Sequence, residues 1–234
     1  MIVIRALAAL ALVAGAGSAH AASLDIETST DLRRRGLSWS DGKPAIDAWA
    51  TVPLTGGFSV IASAATLRGS PRHGGADAVA ETALRYMRQA GAWTLSADIQ
   101  YLAFLGTTGQ NYAQLRATAA RDIGPVQLAV QTDWAPPQAA IGGSNFYLGG
   151  RASLGLPGTP VTLAASLGRS MGNDYGSVRS RRLRPGGDYT DFRLDADYVL
   201  DRVTLGASFT TTTIRGERAE NSSPRLLIRA AIGF

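Results

Sequence analysis

Apolar and polar residues alternate along this chain in segments that recur at intervals of about ten residues. In the clearest segment, Trp93 to Ala103, one face carries Trp93, Leu95, Ala97, Ile99 and Tyr101, and the other face carries polar residues. A period of two is typical of β-strands, because successive side chains point to opposite faces of a sheet. The chain is therefore restricted to folds built from antiparallel sheets.

We predict twelve strands on this basis. The segments are residues 24–32, 44–52, 58–67, 78–89, 93–103, 111–121, 126–134, 144–155, 161–169, 188–199, 203–215 and 224–234. The links between them are alternately long and short, about 10 and about 4 residues on average. The segment 78–89 also has the propensity of a short amphipathic helix, but an odd number of strands would place the two chain ends on opposite sides of a membrane.

The separation of long from short links favours a membrane barrel over the alternative of an exported soluble β-sandwich. Barrels of the outer membrane have tight periplasmic turns and longer outer loops. Lipid offers no hydrogen-bond partners, so strands that cross it must close into a barrel. The predicted fold is all-β: a transmembrane antiparallel up-and-down β-barrel of about twelve strands, with short periplasmic turns and longer extracellular loops.

The first 21 residues have the pattern of a secretory signal peptide. Arg5 supplies the positive start, an apolar run of small residues extends from Ala6 to Gly17, and Ala19-His20-Ala21 fits a cleavage site. The run is shorter than the roughly 20 residues that a spanning helix requires. We therefore predict a leader at 1–21, a barrel at 22–234, and export to the outer membrane of a Gram-negative cell.

The last strand ends on an aromatic residue. Its apolar face consists of Leu226, Ile228, Ala230, Ile232 and Phe234. A final strand of this kind resembles the signal that the outer-membrane barrel assembly machinery recognises. We predict that this strand closes the barrel against residues 24–32 and that Phe234 is the assembly signal.

The opposite faces of the strands carry charges of both signs, which we expect to point into the barrel. The candidate pore-lining residues are Asp47, Arg85, Asp98, Arg116, Asp133, Arg151, Asp191, Arg193, Asp195, Asp197 and Arg229. Isolated buried charge is costly, so these groups must be hydrated or paired. The set is consistent with a porin-like channel for passive diffusion of small hydrophilic solutes or ions. It is also consistent with a plugged, non-conducting barrel that has a structural or surface-interaction role.

Two clusters of arginines lie in predicted outer loops. They are Arg33, Arg34 and Arg35 in the first loop, and Arg179, Arg181, Arg182 and Arg184 in the fifth. Guanidinium groups suit bidentate contacts with phosphate, so we predict contact with lipid and lipopolysaccharide phosphate. A solvated loop is the alternative for the first cluster. The second lacks interleaved aromatic residues, and we expect no nucleic-acid binding.

Residues for catalysis or metal binding are scarce. The chain has no cysteine, and beyond the predicted leader His73 is its only histidine, expected to be solvated in an outer loop. A serine nucleophile needs a positioned base, and transition metals need several nitrogen or sulfur ligands. We predict no enzyme activity, no cofactor and no metal site; a lipase is the least favoured alternative.

Residues 27–50, ETSTDLRRRGLSWSDGKPAIDAWA, carry a family resemblance. The matching pattern comprises an acidic strand end, Arg35-Gly36, Ser38-x-Ser40, an Asp41-Gly42 turn and Pro44-Ala45. This segment resembles the start of the TorF family, a proteobacterial outer-membrane group. It departs from the family pattern at Leu32, where an aromatic is expected, and in the basic run of three arginines. The resemblance implies a barrel porin and names no substrate.

Overall fold

The computed structural model describes residues 22–173, 177–215 and 221–234, so the predicted signal peptide at 1–21 lies outside the described residues. Fourteen strands are present in these ranges. The small hairpin consists of β2 (Arg33–Arg34) and β3 (Leu37–Ser38). The barrel strands are β1 (Ser23–Ser29), β4 (Ala45–Pro53), β5 (Phe58–Ser70), β6 (Ala76–Ala90), β7 (Trp93–Leu105), β8 (Tyr112–Ile123), β9 (Val126–Gln138), β10 (Gly143–Gly155), β11 (Val161–Met171), β12 (Tyr189–Leu200), β13 (Val203–Thr212) and β14 (Arg225–Gly233).

The twelve long strands form one closed antiparallel barrel in which neighbours in sequence are neighbours in the sheet. Strand β1 closes it, because Ile26 pairs with Ala48 of β4 on one side and with Ile232 of β14 on the other. Beyond β14, the amide of Phe234 donates to the carbonyl of Leu24 at 2.8 Å. The predicted barrel with twelve strands is confirmed, and the β-sandwich alternative is wrong.

Six of the twelve barrel strands extend further toward the long loops than the sequence predicts, and the other six are shorter at that end by one to three residues. Strand β9 continues to Gln138 and β5 to Ser70, whereas β13 ends earlier, at Thr212. The ambiguous segment 78–89 lies within β6, so the strand prediction is confirmed there. The hairpin of β2 and β3 lies in the first predicted loop and was not expected. Alternation cannot reveal strands of two residues.

The outer face of the barrel is an apolar belt with aromatic residues toward both ends. Exposed aliphatic residues such as Ile99, Val130 and Leu167 lie between the two aromatic groups. The aromatic residues near the short turns are Phe58, Tyr86, Trp93, Tyr198 and Phe234. Those toward the long loops are Tyr101, Trp134 and Phe209. This distribution is typical of a barrel that faces lipid. In the described ranges, none of the helical turns is long and apolar enough to cross a membrane.

The hairpin of β2 and β3 enters the barrel from its long-loop end. Arg35 and Gly36 form the turn with φ of 52° and 74°, and positive φ at both positions gives a two-residue type I′ turn. Only glycine tolerates the second position well here, because a Cβ on Gly36 would collide with Thr212 of the barrel wall. The tip of the hairpin is therefore held close to the wall.

The long-loop end of the barrel is filled by a compact plug. We define the plug as the first loop, residues 30–44, together with the helical turns Pro71–His73 and Ser180–Arg182. Its apolar side chains join wall residues in one buried cluster that includes Leu32, Trp39, Phe104, Tyr112 and Leu183. Removing one large aromatic from such a core costs about 3–5 kcal/mol. The plug is therefore a packed part of the fold.

Candidate functional site

A cavity of about 630 Å³ lies in the barrel lumen below the plug. At its upper end the lining includes Trp39 and Leu183 of the plug region. Toward the short turns it reaches Thr51 of β4 and Thr118 of β8. Because the plug is packed and the cavity is lined by polar, charged and aromatic side chains, this is the place where the barrel can hold a solute.

The eleven candidate pore-lining residues all have side chains inside the barrel, where most of them form ion pairs. One cluster lies beside the cavity on β6 to β9. Arg85 donates two hydrogen bonds of 2.8 Å to the two carboxylate oxygens of Asp98. Arg116 donates one of 2.5 Å to Asp133. Such charge-assisted pairs fix the geometry of both partners. Whether these residues line a conducting path stays a prediction.

A second cluster centres on Asp195, whose carboxylate is buried. It accepts hydrogen bonds from Arg151 at 2.8 Å and from Arg193 at 2.7 Å. Arg229 lies 3.5 Å from Asp195 and donates a bond of 2.5 Å to Asp197. The pairs run across strands β10 to β14. Charges that the sequence places on separate strands are thus joined into one network on the wall of the lumen.

Two of the predicted carboxylates differ from the rest. Asp47 and Asp191 form no ion pair within the described structure, and one carboxylate oxygen of each is buried without a hydrogen-bond partner. Asp191 accepts a long hydrogen bond of 3.4 Å from the hydroxyl of Tyr147. Buried acceptors without donors are uncommon. The lumen therefore has spare acceptor capacity for a cation or a hydrogen-bond donor.

The first arginine cluster points inward, and the prediction that it contacts lipid phosphate is wrong. Arg33 is buried and donates to Asp31 at 2.7 Å. Arg34 donates to Glu81 of β6 at 2.8 Å, and Arg35 donates to Asp133 of β9 at 2.9 Å. Carboxylates of the barrel wall hold Arg34 and Arg35 in the lumen, and Asp31 of the same loop holds Arg33, so all three point away from the outer leaflet.

The second arginine cluster is divided. Arg182 is buried in the plug, and Arg184 is buried with bonds to the carbonyls of Gly172 and Asn173, so the phosphate prediction is wrong for both. Both guanidinium groups donate to acceptors inside the fold, Arg182 to the carbonyls of Gln110 and Ala140 and Arg184 also to the carboxylate of Asp188. Arg179 and Arg181 are exposed at the long-loop end. For these two, contact with lipopolysaccharide phosphate stays a prediction.

His73 is not solvated, contrary to the expectation from its loop position. Its side chain is 0% exposed and lies against the rings of Trp39 and Phe104, at 4.5 Å and 4.9 Å between centroids. Burial, together with the positive charge of Arg182, holds the pKa of His73 well below its usual range. Burial also lowers the pKa of the Arg182 guanidinium, to about 10. His73 is therefore a neutral packing residue of the plug.

Three residues of this site were missed by the sequence analysis. Glu81 binds Arg34, and Tyr112 packs under Arg182 with 5.4 Å from the guanidinium carbon to the ring centroid. Trp49 lines the cavity. Glu81 lies four residues before Arg85 on the same strand and therefore on the same face, so the alternation of faces alone could have identified it. No group of three potential metal ligands comes together within the described ranges.

Solved structures with the same fold are outer-membrane porins and channels. KdgM porin matches with a TM-score of 0.60 and 7% identity, over 91% of this chain and 98% of that one. NanC porin matches with 0.59 and 11%, over 90% and 98%. The COG4313 outer membrane channel of Pseudomonas putida F1 matches with 0.55 and 14%, over 94% and 98%. At these identities the likeness establishes the fold alone. No curated protein matches this chain in sequence.

One family model covers most of the chain. It matches residues 13–226 and is described as a bacterial protein of unknown function. The match begins within the predicted leader and ends inside the last strand of the barrel. The chain therefore belongs to the Gcw_chp family of bacterial proteins.

Proposed function

We propose that this protein is an outer-membrane channel of the porin type, through which small hydrophilic solutes or ions diffuse passively. In the conformation described above, the plug occupies the outer end. The single observation that carries the proposal is the polar cavity of about 630 Å³ beneath the plug, lined by charged side chains of the hairpin and of four barrel strands. A barrel that served only as a scaffold could fill this space with packed apolar side chains, as the plug does at the other end.

The solved relatives support this function by analogy. One structure of KdgM porin is described as a complex with disordered oligogalacturonate, a polar solute, and matches this chain at 8% identity. The shared fold supports an outer-membrane location, and the pattern of residues 1–21 supports export. Membership of the TorF family rests on the resemblance of residues 27–50 alone. We propose no catalytic role.

Conductance of the refolded protein in planar lipid bilayers tests the proposal. The comparison is between the native chain and the double variant Arg34→Gln/Arg35→Gln, which removes both ion pairs of the hairpin with the wall. We expect infrequent current steps from the native chain and frequent steps from the variant. The control Lys43→Gln/Arg68→Gln changes the net charge equally at exposed positions of the same end.

The absence of current steps above background from all three proteins would overturn the channel. That result would favour the alternative, a non-conducting barrel whose outer loops are its working surface. Steps that are equally frequent in the native chain and in both variants would retain the channel. They would reject the assignment of the hairpin as the occluding element.

A further inference from the structure

The tip of the hairpin places the guanidinium group of Arg35 in a site built by the barrel wall. Its Nη2 donates to Asp133 at 2.9 Å, and its central carbon lies 4.6 Å from the centroid of the Tyr147 ring. An aromatic face and a carboxylate are the two groups that recognise a planar organic cation. Arg35 therefore occupies a cation site whose other members all belong to barrel strands.

The aromatic wall of this site is fixed in position by two glycines. A Cβ atom on Gly149 or on Gly168 would collide with the ring or hydroxyl of Tyr147, so the ring packs closely against both glycines. Gly149 belongs to β10 and Gly168 pairs with it from β11. The hydroxyl of Tyr147 is directed to Asp191. Because the support comes from the wall, the ring can keep its place when the hairpin is absent.

Arg34 repeats the arrangement one residue earlier. It donates to Glu81 at 2.8 Å, and its guanidinium lies 4.5 Å from the ring of Trp39. Asp47 lines the same cavity and has one buried carboxylate oxygen without a partner. The carboxylates Glu81 and Asp47 belong to the wall, whereas Trp39 belongs to the plug. The hairpin thus delivers two cations to the acidic face of the lumen.

Withdrawal of the hairpin would leave this face with an excess of negative charge. Asp133 would keep Arg116, at 2.5 Å, as its partner. Glu81 would lose the one ion pair it has in the described structure, and Asp191 is 5% exposed with one carboxylate oxygen already unpartnered. Uncompensated carboxylates in a partly buried site are costly. A cation that takes the place of the two arginines would restore this balance in the open barrel.

We propose that the hairpin is an internal stand-in for the solute, and that the open lumen binds small organic cations with a guanidinium or ammonium group. This inference rests on the proposed channel function and names its solute class. The main observation behind the inference is the position of the Arg35 guanidinium group, which lies between the Tyr147 ring and the Asp133 carboxylate. A solute of opposite charge, such as a galacturonate, would meet Asp47, Glu81 and Asp191 without their arginine neighbours.

Binding to the full barrel in detergent, measured by titration calorimetry, tests the site without requiring current. The probes are L-arginine methyl ester as the cation and galacturonate as the anion. We expect the variant Arg34→Gln/Arg35→Gln to bind the cation at least about tenfold more tightly than the native chain, whose own arginines compete. Adding Tyr147→Leu should weaken binding roughly five- to thirty-fold, which spans cation–π contacts from exposed to desolvated sites.

Two controls make the result specific. The charge-matched variant Lys43→Gln/Arg68→Gln should bind the ester no more tightly than the native chain. In bilayers with a salt gradient, the hairpin variant should give a reversal potential that favours cations over anions. The change in electrophoretic migration between unheated and heated samples detects the folded barrel and identifies variants that fail to assemble.

The outcomes separate this inference from the channel itself. Current with anion preference, or ester binding no tighter than that of galacturonate, overturns the cation site and leaves the channel in place. Tight ester binding that Tyr147→Leu weakens, with no current from any variant, supports the site and overturns the channel. Binding that Tyr147→Leu leaves unchanged overturns the assignment of the ring and hence the proposal.

Discussion

Arg182 donates a hydrogen bond of 3.0 Å from its Nε to Nδ1 of His73, although the two residues are 109 positions apart in the chain. The guanidinium carbon also lies 4.0 Å from the centroid of the Phe104 ring, and Nη1 donates to the carbonyl of Gln110. One side chain thus joins two helical turns of the plug to the barrel wall. We therefore expect the closed state of the outer end to depend on this residue.

Replacement of Arg182 by alanine should loosen the plug. Hydrogen bonds to a charged group contribute about 1.5–3 kcal/mol each, and 1.4 kcal/mol corresponds to a tenfold change in an equilibrium. We therefore expect the fraction of time in the open state, measured in bilayers, to rise by about tenfold or more. Arg181→Ala is the matched control, because Arg181 is exposed. Equal behaviour of the two variants would contradict a role of Arg182 in closure.

The plug should also respond to pH through His73. Burial, then the charges of Arg182, Arg72 and Arg34, lower the pKa of His73 below the ordinary value of 6.5. The closed plug therefore favours neutral imidazole: its stability is complete above pH 6.5 and falls by up to about 1.4 kcal/mol for each unit below it, until the lowered pKa is reached. When the pH is lowered from 7.5 to 5, the fraction of time that the native chain spends in the open state should rise. His73→Gln cannot titrate and should respond less; an identical response would exclude His73.

The barrel could be predicted from the sequence because its signal is local. A period of two is set by neighbouring residues, so strands such as Trp93–Leu105 and Val126–Gln138 are visible without any knowledge of their partners. The same alternation identified which charged side chains point into the barrel, including those of Asp98 and Asp133. Strand ends were less accurate, since alternation fades where loops begin.

The plug could not be predicted because the contacts that form it are distant in the chain. Arg35 and Asp133 are 98 residues apart, and the bond from Arg33 to the carbonyl of Ser223 spans 190. An arginine in a loop has the same local pattern whether it faces lipid or the lumen. The direction of the side chain is decided by the carboxylates on the opposite strands, which come within reach only after the barrel has closed. The burial of His73 could not be predicted either, because Arg182, Trp39 and Phe104 reach it from distant parts of the chain.

Asp31 organises the hairpin and should be essential for its order. Its carboxylate accepts hydrogen bonds from Arg33 at 2.7 Å, from Ser38 at 2.5 Å and from Ser40 at 3.1 Å. Removing one member of a buried ion pair costs about 3–5 kcal/mol. In Asp31→Ala we expect trypsin to cleave the intact barrel within residues 33–35, as identified by mass spectrometry.

The control for this cleavage is Asp77→Ala, because Asp77 is an exposed carboxylate beside the same loops. Its cleavage pattern should match that of the native chain. Cleavage at residues 33–35 in the native chain at the same rate as in Asp31→Ala would show that the hairpin is not held in the lumen.

Gly168 should tolerate no side chain, because a Cβ there would overlap the hydroxyl of Tyr147. Overpacking of this kind costs about 1–3 kcal/mol. We expect Gly168→Ala to lower the urea midpoint of the folded band in electrophoresis. At Gly155, the last residue of the neighbouring strand β10, a Cβ would meet open space. Gly155→Ala should be neutral or slightly stabilising, and a loss equal to that of Gly168→Ala would argue against the packing of Tyr147.

The chain end should matter for assembly more than for transport. Phe234 is exposed on the outer face, and its backbone exchanges two hydrogen bonds with Leu24, which seals the barrel. Its side chain contributes nothing to the cavity lining. Deletion of Phe234 should therefore reduce the amount of barrel inserted into the outer membrane, while the barrels that do insert conduct normally. Quantitative blotting of membrane fractions and single-channel recording measure the two effects.

Substitution separates the aromatic ring from the backbone closure at this end. Phe234→Trp and Phe234→Ala both keep the two hydrogen bonds to Leu24, because these involve only main-chain atoms. If the ring is what the assembly machinery recognises, the tryptophan variant should insert as the native chain does, and the alanine variant should insert as poorly as the deletion. Normal insertion of the alanine variant with failure of the deletion would assign the role to strand closure, since only the deletion removes the last backbone pair between the chain end and β1.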